Sequence, residues 1–415
     1  MRRWSLAAAA ISLAALLAIA VAPERVLVPI ELGESRPLET VLGDTTLPTA
    51  QAVWLEMLRG ATKQVDLEHF YLSRKAGEAL DPVLDELGRA AARGVKVRLL
   101  LDRSMYRTYP QPAESLATLP GVSLRLVDYR RLAGGVQHAK FMIVDDKEAW
   151  LGSQNLDWRS LSHIHELGAR VRLEPAARAI ADVFETDWRA ADTTQVPTPV
   201  DRKSARWPLE FSQYGERGRL WVSASPAKLD PPSVPWDRDV VVERVNGARR
   251  ELVAQVLSYG VGGHGNTDST LHRALLAAAA RGVKVRLIVS DWVVGGRGED
   301  DLRSLAAAPN VEVRISQVPE WSRGYIPFAR VEHCKFMVVD GEWLWLGTSN
   351  WDPSYFFSSR NLAVTLHHKG LAERVRSVFE TSWRAPSAAP LVAGTTLAKR
   401  VHSETPPPGA TLYGE

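Results

Sequence analysis

His138-Ala139-Lys140-Phe141-Met142-Ile143-Val144-Asp145 recurs in this chain as His333-Cys334-Lys335-Phe336-Met337-Val338-Val339-Asp340, 195 positions further on. The register holds beyond the octapeptide. Gly152, Ser153 and Asn155 are answered by Gly347, Thr348 and Asn350, and the hexapeptide 184–189 by 379–384. Upstream, Ala92-Arg93-Gly94-Val95-Lys96-Val97-Arg98-Leu99 returns at 280–287, at an offset of 188. A period this long does not build a solenoid. It describes two homologous domains of roughly 150 residues each.

Both halves share one grammar. A helical stretch (54–59, then 241–248) leads into a β-rich run (64–71, then 251–259), and a second helical stretch follows (80–92, then 271–280). Gly94 and Gly282 stand where a helix end takes a left-handed residue. The Val-Lys-Val-Arg-Leu runs after them alternate as strands do. This strand–helix–strand order predicts an α/β fold with a largely parallel sheet covered by helices. Within the motif block, 140–145 and 149–153 read as a hairpin turning near Asp146-Lys147, and Asp340-Gly341 is the matching turn signal. The expected limits are 45–190 for the first domain and 239–385 for the second. Between them lies a charged, proline-rich linker, 191–238, with a strand at 220–223, and after them a flexible tail, 386–415.

Of the 415 residues, 45% are hydrophobic and 24% charged, which is globular and allows two cores. A net charge of +3 is too small to argue for nucleic acid on its own. The single cysteine, Cys334, excludes an intramolecular disulfide and thiolate-rich metal sites. Its counterpart is Ala139, so it reads as a small core residue. Arg2 and Arg3 precede an uncharged stretch, 4–22, which as a helix would span roughly 28 Å. The arginines would hold the terminus in the cytoplasm and send the body across a membrane. Either the stretch is a membrane anchor, or it is a signal peptide cut after Ala20-Val21-Ala22 to leave a secreted or periplasmic protein. Pro23 disfavours the cut.

Side chains two apart on a strand share a face, so His138 and Lys140 can reach one ligand, as can His333 and Lys335. Asp145 lies an odd number of residues from His138. A straight strand turns it away, so Asp145 and Asp340 complete each catalytic block in a supporting role. The return strand brings Asn155 and Asn350 back, their amides free to donate to phosphate oxygens. Ser153 and Thr348 either touch the same phosphate or satisfy the turn. Attack at phosphorus needs a nucleophile, an acid for the leaving alcohol and positive charge for the equatorial oxygens. Two imidazoles, one neutral and one protonated, divide the first two tasks. Lysine and asparagine donors supply the third, in place of a metal ion or other cofactor.

These blocks resemble those of the phospholipase D superfamily, over residues 45–385. Leu151-Gly152-Ser153-Gln154-Asn155-Leu156-Asp157-Trp158-Arg159-Ser160-Leu161, Ile326-Pro327-Phe328-Ala329-Arg330-Val331 and Gly347-Thr348-Ser349-Asn350-Trp351 are similar to its branch of endolysosomal 5′ exonucleases and their poxviral relatives. The resemblance implies two α-β-α sandwich domains packed with pseudo-two-fold symmetry and one shared site. It also implies a covalent phosphohistidine, here on His138, with His333 as the acid. The superfamily's supporting acid, about eleven residues after the asparagine, falls on Glu166. Its counterpart, Asn361, departs from that pattern. An amino-terminal signal-anchor is usual in this branch.

The function expected is therefore a metal-independent phosphodiesterase acting on a phospholipid or a single-stranded nucleic acid. A phosphatidyltransferase of cardiolipin-synthase type and a non-catalytic envelope protein are the alternatives. The latter usually loses a histidine or lysine, and neither is lost here. His163 and His165 are spaced for a metal but lack an evident third ligand, and read as structural. Arg330 and Arg360 are candidate phosphate contacts. Trp351 and Tyr325 would shape the cleft, a blind end favouring a terminal nucleotide and an open apolar rim a lipid.

Overall fold

Alternation decides where the motif strands lie. In Phe141–Val144, Phe141 and Ile143 enter one hydrophobic core while Met142 and Val144 enter another, and Phe336–Val339 divides in the same way. All eight side chains are at most 3% exposed. A strand buried on both faces must be interior to its sheet, and the computed structural model places both there. It describes residues 27–193, 195–263, 265–394 and 396–414, so the expected anchor at 1–22 lies outside the described residues.

The first sheet has seven strands, in the order Ile30–Ser35, Glu166–Val171, Glu148–Gly152, Phe141–Val144, Gln64–His69, Lys96–Asp102, Val122–Val127. The second has nine, in the order Leu209–Gln213, Glu216–Ser225, Asn361–His367, Trp343–Gly347, Phe336–Val339, Glu251–Val256, Lys284–Ser290, Val311–Ser316, Ala388–Pro390. Within these two sheets, among the described residues, only Gln64–His69, Lys96–Asp102 and Val122–Val127, and their three counterparts from Glu251 to Ser316, pair in parallel. The expectation of a largely parallel sheet is corrected to two mixed sheets. Strands joined by a helix run parallel, but the motif hairpin returns directly and must pair antiparallel.

Helices Ala50–Gly60 and Asp81–Ala92 cover the outer face of the first sheet, and Asp237–Gly247, Thr270–Ala280 and Arg297–Ala306 that of the second. Helices Glu174–Ala190 and Lys369–Arg384 fill the space between the sheets. There Ile180, Phe184, Val375 and Phe379 share one core with Ile143, Leu151, Val338 and Leu346. Each half is thus an α-β-α sandwich, and the inner layers fuse. A fully buried leucine or phenylalanine contributes about 1.5–3 kcal/mol, so this shared core holds the halves as one body. Gly94 and Gly282 end their helices at φ +91° and +90° as expected, and a side chain at either would meet nothing.

Three boundaries are corrected. Ile30–Ser35 precedes the expected start at 45 and pairs with Glu166–Val171. The 191–238 linker supplies Leu209–Gln213 and Glu216–Ser225, and the second of these pairs with Asn361–His367 just as Ile30–Ser35 pairs in the first half. Neither segment belongs to the repeated blocks, so their edge-strand role shows only in the sheet. The expected flexible tail is fastened instead: Ala388–Pro390 joins the second sheet, and Tyr325 makes main-chain bonds to Thr411 and Tyr413. Among the described residues no helix is long and apolar enough to cross a membrane.

Candidate active site

The two halves meet through two equivalent backbone bridges, Gln137 with Arg360 and His165 with Glu332. The His138 N–H donates to the Arg360 carbonyl at 3.0 Å, and the His333 N–H to that of His165 at 2.9 Å. Each histidine is therefore seated against the opposite half, and its ring follows. His138 Nδ1 lies 3.0 Å from Asn361 Oδ1, while His333 Nδ1 is bonded to Glu166 Oε1. Asn361 is thus a supporting group despite its departure from an acid, and support crosses between the halves. Its Nδ2 donates to the Tyr355 carbonyl at 2.8 Å, and its Oδ1 also accepts from Thr348 Oγ1 at 2.9 Å. The amide oxygen must then accept from His138 Nδ1–H. That leaves the His138 Nε2 lone pair free.

Lys140 and Lys335 reach back to the carbonyls of His138 and His333, the second at 2.6 Å. Both are buried. Burial, then the neighbouring Lys335, holds Lys140 well below the usual lysine range, and burial pushes Lys335 down to about 7. Burial followed by the two lysines also depresses both histidines. Burial lifts Glu166 to about 8 against the pull of those lysines. Four basic groups around one carboxyl make a buried site short of negative charge, and a phosphodiester anion would supply it.

The remaining expected residues separate. Asp145 and Asp340, grouped by sequence with the catalytic set, do not join the site. Asp145 accepts from the backbone N–H groups of Thr62, Lys63 and Gln64 at 2.7–2.9 Å, and Asp340 from those of Arg249, Arg250 and Glu251 at 2.7–3.0 Å. They stand in the hairpin turns at φ 56° and 55° and pin each turn to the start of the neighbouring strand. Ser153 and Thr348 use their hydroxyls to accept from Leu167 and Leu362 N–H, which ties the end of each hairpin to the neighbouring strand. Asn155 Nδ2 lies 3.4 Å from the Tyr71 hydroxyl. Asn350 Oδ1 accepts from Leu257 N–H, and its buried Nδ2 finds no acceptor among the described residues.

Sequence reasoning missed a lane of half-buried aromatics. Ring centroids step from Tyr109 to Tyr71 (5.7 Å), to Phe70 (5.6 Å), to His138 (5.3 Å) and on to Tyr355 (4.8 Å). Phe70-Tyr71 directly after a motif-facing strand was the only signal available. Trp351 and Tyr325 do not line the cleft. Trp351 is core, and Tyr325 is engaged by Ser403. Arg360 is fully buried, with donors to Asp187, Asp230, Ser225 and Leu229, and Arg330 donates to the Pro319 and Leu38 carbonyls. Arg360 is thus fully engaged, whereas Arg330 is held in the interior with its buried Nη2 lacking an acceptor among the described residues. His165, Glu332 and Cys334 cluster closely enough to suggest a metal. Both His165 nitrogens, however, face carboxylates, Glu332 at 2.7 Å and Glu34 at 2.9 Å, so the ring has no lone pair to offer. His163 packs on Trp321 at 4.5 Å.

Two repeats that bring one histidine and one lysine each to a single buried, anion-seeking site define a duplicated phosphodiesterase. The chain belongs to the phospholipase D-like family, whose profile, described as cardiolipin synthase, PLD-like domain, matches residues 54–188 and 241–383. It is a phospholipase D-type phosphodiesterase. It is 31% identical to phospholipase D Z of Dictyostelium discoideum over 87% of this chain and 90% of that protein. It is 32% identical to the 5′-3′ exonuclease PLD3 of Rattus norvegicus over 86% and 79%. The structure of phosphatidylserine synthase from Haemophilus influenzae shares the fold, with a TM-score of 0.61 at 14% identity over 88% of this chain and 87% of that one.

Proposed function

We propose that this protein releases terminal nucleotides from single-stranded nucleic acid through a covalent phosphohistidine on His138. The aromatic lane carries the substrate reading: bases stack on aromatic faces, and a chain end laid along Tyr109, Tyr71 and Phe70 would bring its phosphodiester to His138. The small exposure of the two histidines, 5% and 8%, suits an end better than a bilayer lipid. In the first step His138 Nε2 forms a bond to phosphorus as the bond to the leaving oxygen breaks, and His333 gives that oxygen its proton. In the second, His333 takes a proton from water, the water oxygen attacks phosphorus, and the His138–phosphorus bond breaks. Lys140, Lys335 and Asn350 hold the equatorial oxygens throughout. Burial and the two lysines keep His138 unprotonated, and Asn361, a neutral partner, orients the ring without taking up its proton, while the Glu166 carboxyl can share a proton with His333. That division supports this assignment over its reverse.

The reading includes an amino-terminal segment that carries the body across a membrane, on the strength of Arg2, Arg3 and the uncharged stretch 4–22. Purified protein is assayed on 5′-hydroxyl single-stranded DNA and on mixed phospholipid vesicles with an alcohol acceptor, each with a chelator. Nucleotide release that survives the chelator is expected. Turnover of vesicles alone would replace the substrate reading with the lipid one. Acid-quenched protein should carry a phosphoryl adduct on His138, and an adduct on His333 instead would reverse the roles.

A further inference from the structure

The carboxy-terminal segment runs from the second half to the first past the outer end of the aromatic lane, and we propose that it is the wall that restricts this enzyme to chain ends. This rests on the nucleic-acid reading above. The segment is fastened at both sides. On the second half, Arg400 donates to the Val318 carbonyl at 2.7 Å, and Ser403 exchanges two bonds with the Tyr325 hydroxyl, at 2.7 and 3.0 Å. Tyr325 N–H donates to the Thr411 carbonyl at 2.8 Å, and Tyr413 N–H to that of Tyr325 at 2.9 Å. On the first half, Lys75 Nζ donates to the Tyr413 carbonyl at 2.7 Å and sits 3.9 Å from its ring centroid, and the Tyr413 hydroxyl donates to Glu78 at 2.6 Å. The segment thus spans the seam between the halves.

Its middle reaches the aromatic lane. The Tyr109 hydroxyl lies 3.3 Å from Glu404 Oε1. Tyr109 is the outermost ring of the lane, next to Tyr71, whose hydroxyl lies 3.4 Å from Asn155 Nδ2. A carboxylate therefore stands where a strand running straight through would carry its next phosphate. Like charges so placed oppose passage. After Thr405, Pro406, Pro407 and Pro408 stiffen the span. Gly324 is shaped for this docking: its φ is +126°, and a Cβ there would lie 2.8 Å from the Thr411 carbonyl oxygen. A free end can stop at such a wall, whereas a continuous strand would have to pass it.

The test compares covalently closed circular single-stranded DNA with linear 5′-hydroxyl DNA, and uses bis(p-nitrophenyl) phosphate as a small diester that needs no lane. Full-length protein is compared with Glu404→Lys, with Tyr413→Ala and with a chain ending at Lys399. Wild type should degrade linear DNA and leave circles intact. The variants should open circles at least about tenfold faster than wild type and hydrolyse the small diester at an unchanged rate. Circles cut by wild type would overturn the proposal. So would circles left intact by Glu404→Lys and by whichever of the other two variants keeps small-diester activity. Wild type that hydrolyses the small diester but not linear DNA removes the nucleic-acid reading and this inference with it.

Discussion

The first half places Glu166 where the second places Asn361, on equivalent strands and facing equivalent histidines across the seam. Around them the duplication is nearly exact in backbone: the same bridge, the same hairpin and the same lysine-to-carbonyl bond. One side-chain difference is enough to make the two imidazoles unequal. A carboxyl can share a proton with His333, whereas an amide oxygen can only accept one from His138. On the proposed mechanism, a symmetric scaffold becomes a directional catalyst by breaking symmetry at the hydrogen-bond partner, not at the reacting group. The same asymmetry recurs at the aromatic lane. The Tyr71 hydroxyl bonds Asp157 in the first half, and Ser258 bonds the matching Asp352 in the second.

The largest test of that inequality lies in the histidines themselves. His138→Ala should lower kcat by at least about 10⁴-fold for every diester. His333→Ala should lose about 10²–10⁴-fold on alkyl leaving groups and far less on p-nitrophenolate, which needs no proton. Equal sensitivity of both variants to the leaving group would mean that the division of labour is absent.

Next come the partners. Glu166→Gln should cost about 10²-fold in kcat with little change in KM, and Asn361→Asp should be harmful too, because a carboxylate would draw a proton onto the nucleophile. The pH profile sharpens this. Burial and the two lysines hold both histidines below their ordinary range, so His138 keeps its lone pair far into acid while His333 gains its proton more readily there, and kcat/KM should hold or rise on the acid side. On the alkaline side activity should fall as Lys335, at about 7, and Glu166, at about 8, lose protons. Glu166→Gln should remove the upper of these two limbs. A wild-type profile that instead falls below about pH 6.5, the ordinary histidine value, would contradict a neutral His138.

A smaller effect belongs to the turn aspartates. Asp145→Ala should reduce stability by about 1–3 kcal/mol, the worth of hydrogen bonds to a charged group, while activity per folded molecule stays intact. A selective loss of kcat would return Asp145 to the catalytic set. Burial alone would raise the Asp145 carboxyl, but the Thr62 hydroxyl and the N–H groups of residues 62–64 hold it below its usual range. Its contribution is therefore complete above about pH 3.9 and is lost as pH falls towards the native value. Denaturation curves of Asp145→Asn should lack that acid-side loss.

The smallest effect separates the sheet edges. In the first half Arg170 pairs with Glu148 and Glu56, and Arg172 with Glu31, all at 2.7 Å. The matching edge of the second half packs Trp221 against Trp343 at 5.5 Å and Trp343 against His367 at 4.5 Å, both tilted, with Arg244 over Trp343 at 4.1 Å. Glu148→Ala should cost about 1 kcal/mol and shrink in high salt. Trp343→Ala should cost somewhat more, about 1–2 kcal/mol, whatever the salt. Unfolding midpoints at two ionic strengths distinguish them.

The sequence by itself determined the duplication, the α/β class, the hairpin of each motif and the two His-Lys pairs. These rest on local spacing and on alternation, which a chain carries in one dimension. Only the tertiary structure decided that Glu166 serves His333 and Asn361 serves His138, because those partners are brought together by the seam between the halves. It also turned Asp145 and Asp340 away from the chemistry, engaged Arg330 and Arg360 in the interior, and closed the sheets with strands outside the repeats. The Tyr109–Tyr71–Phe70 lane joins residues from separate elements, and the strap at Glu404 joins residues 295 positions apart, with no shared motif. Contacts of that kind follow from packing, and packing has no signature in the order of residues.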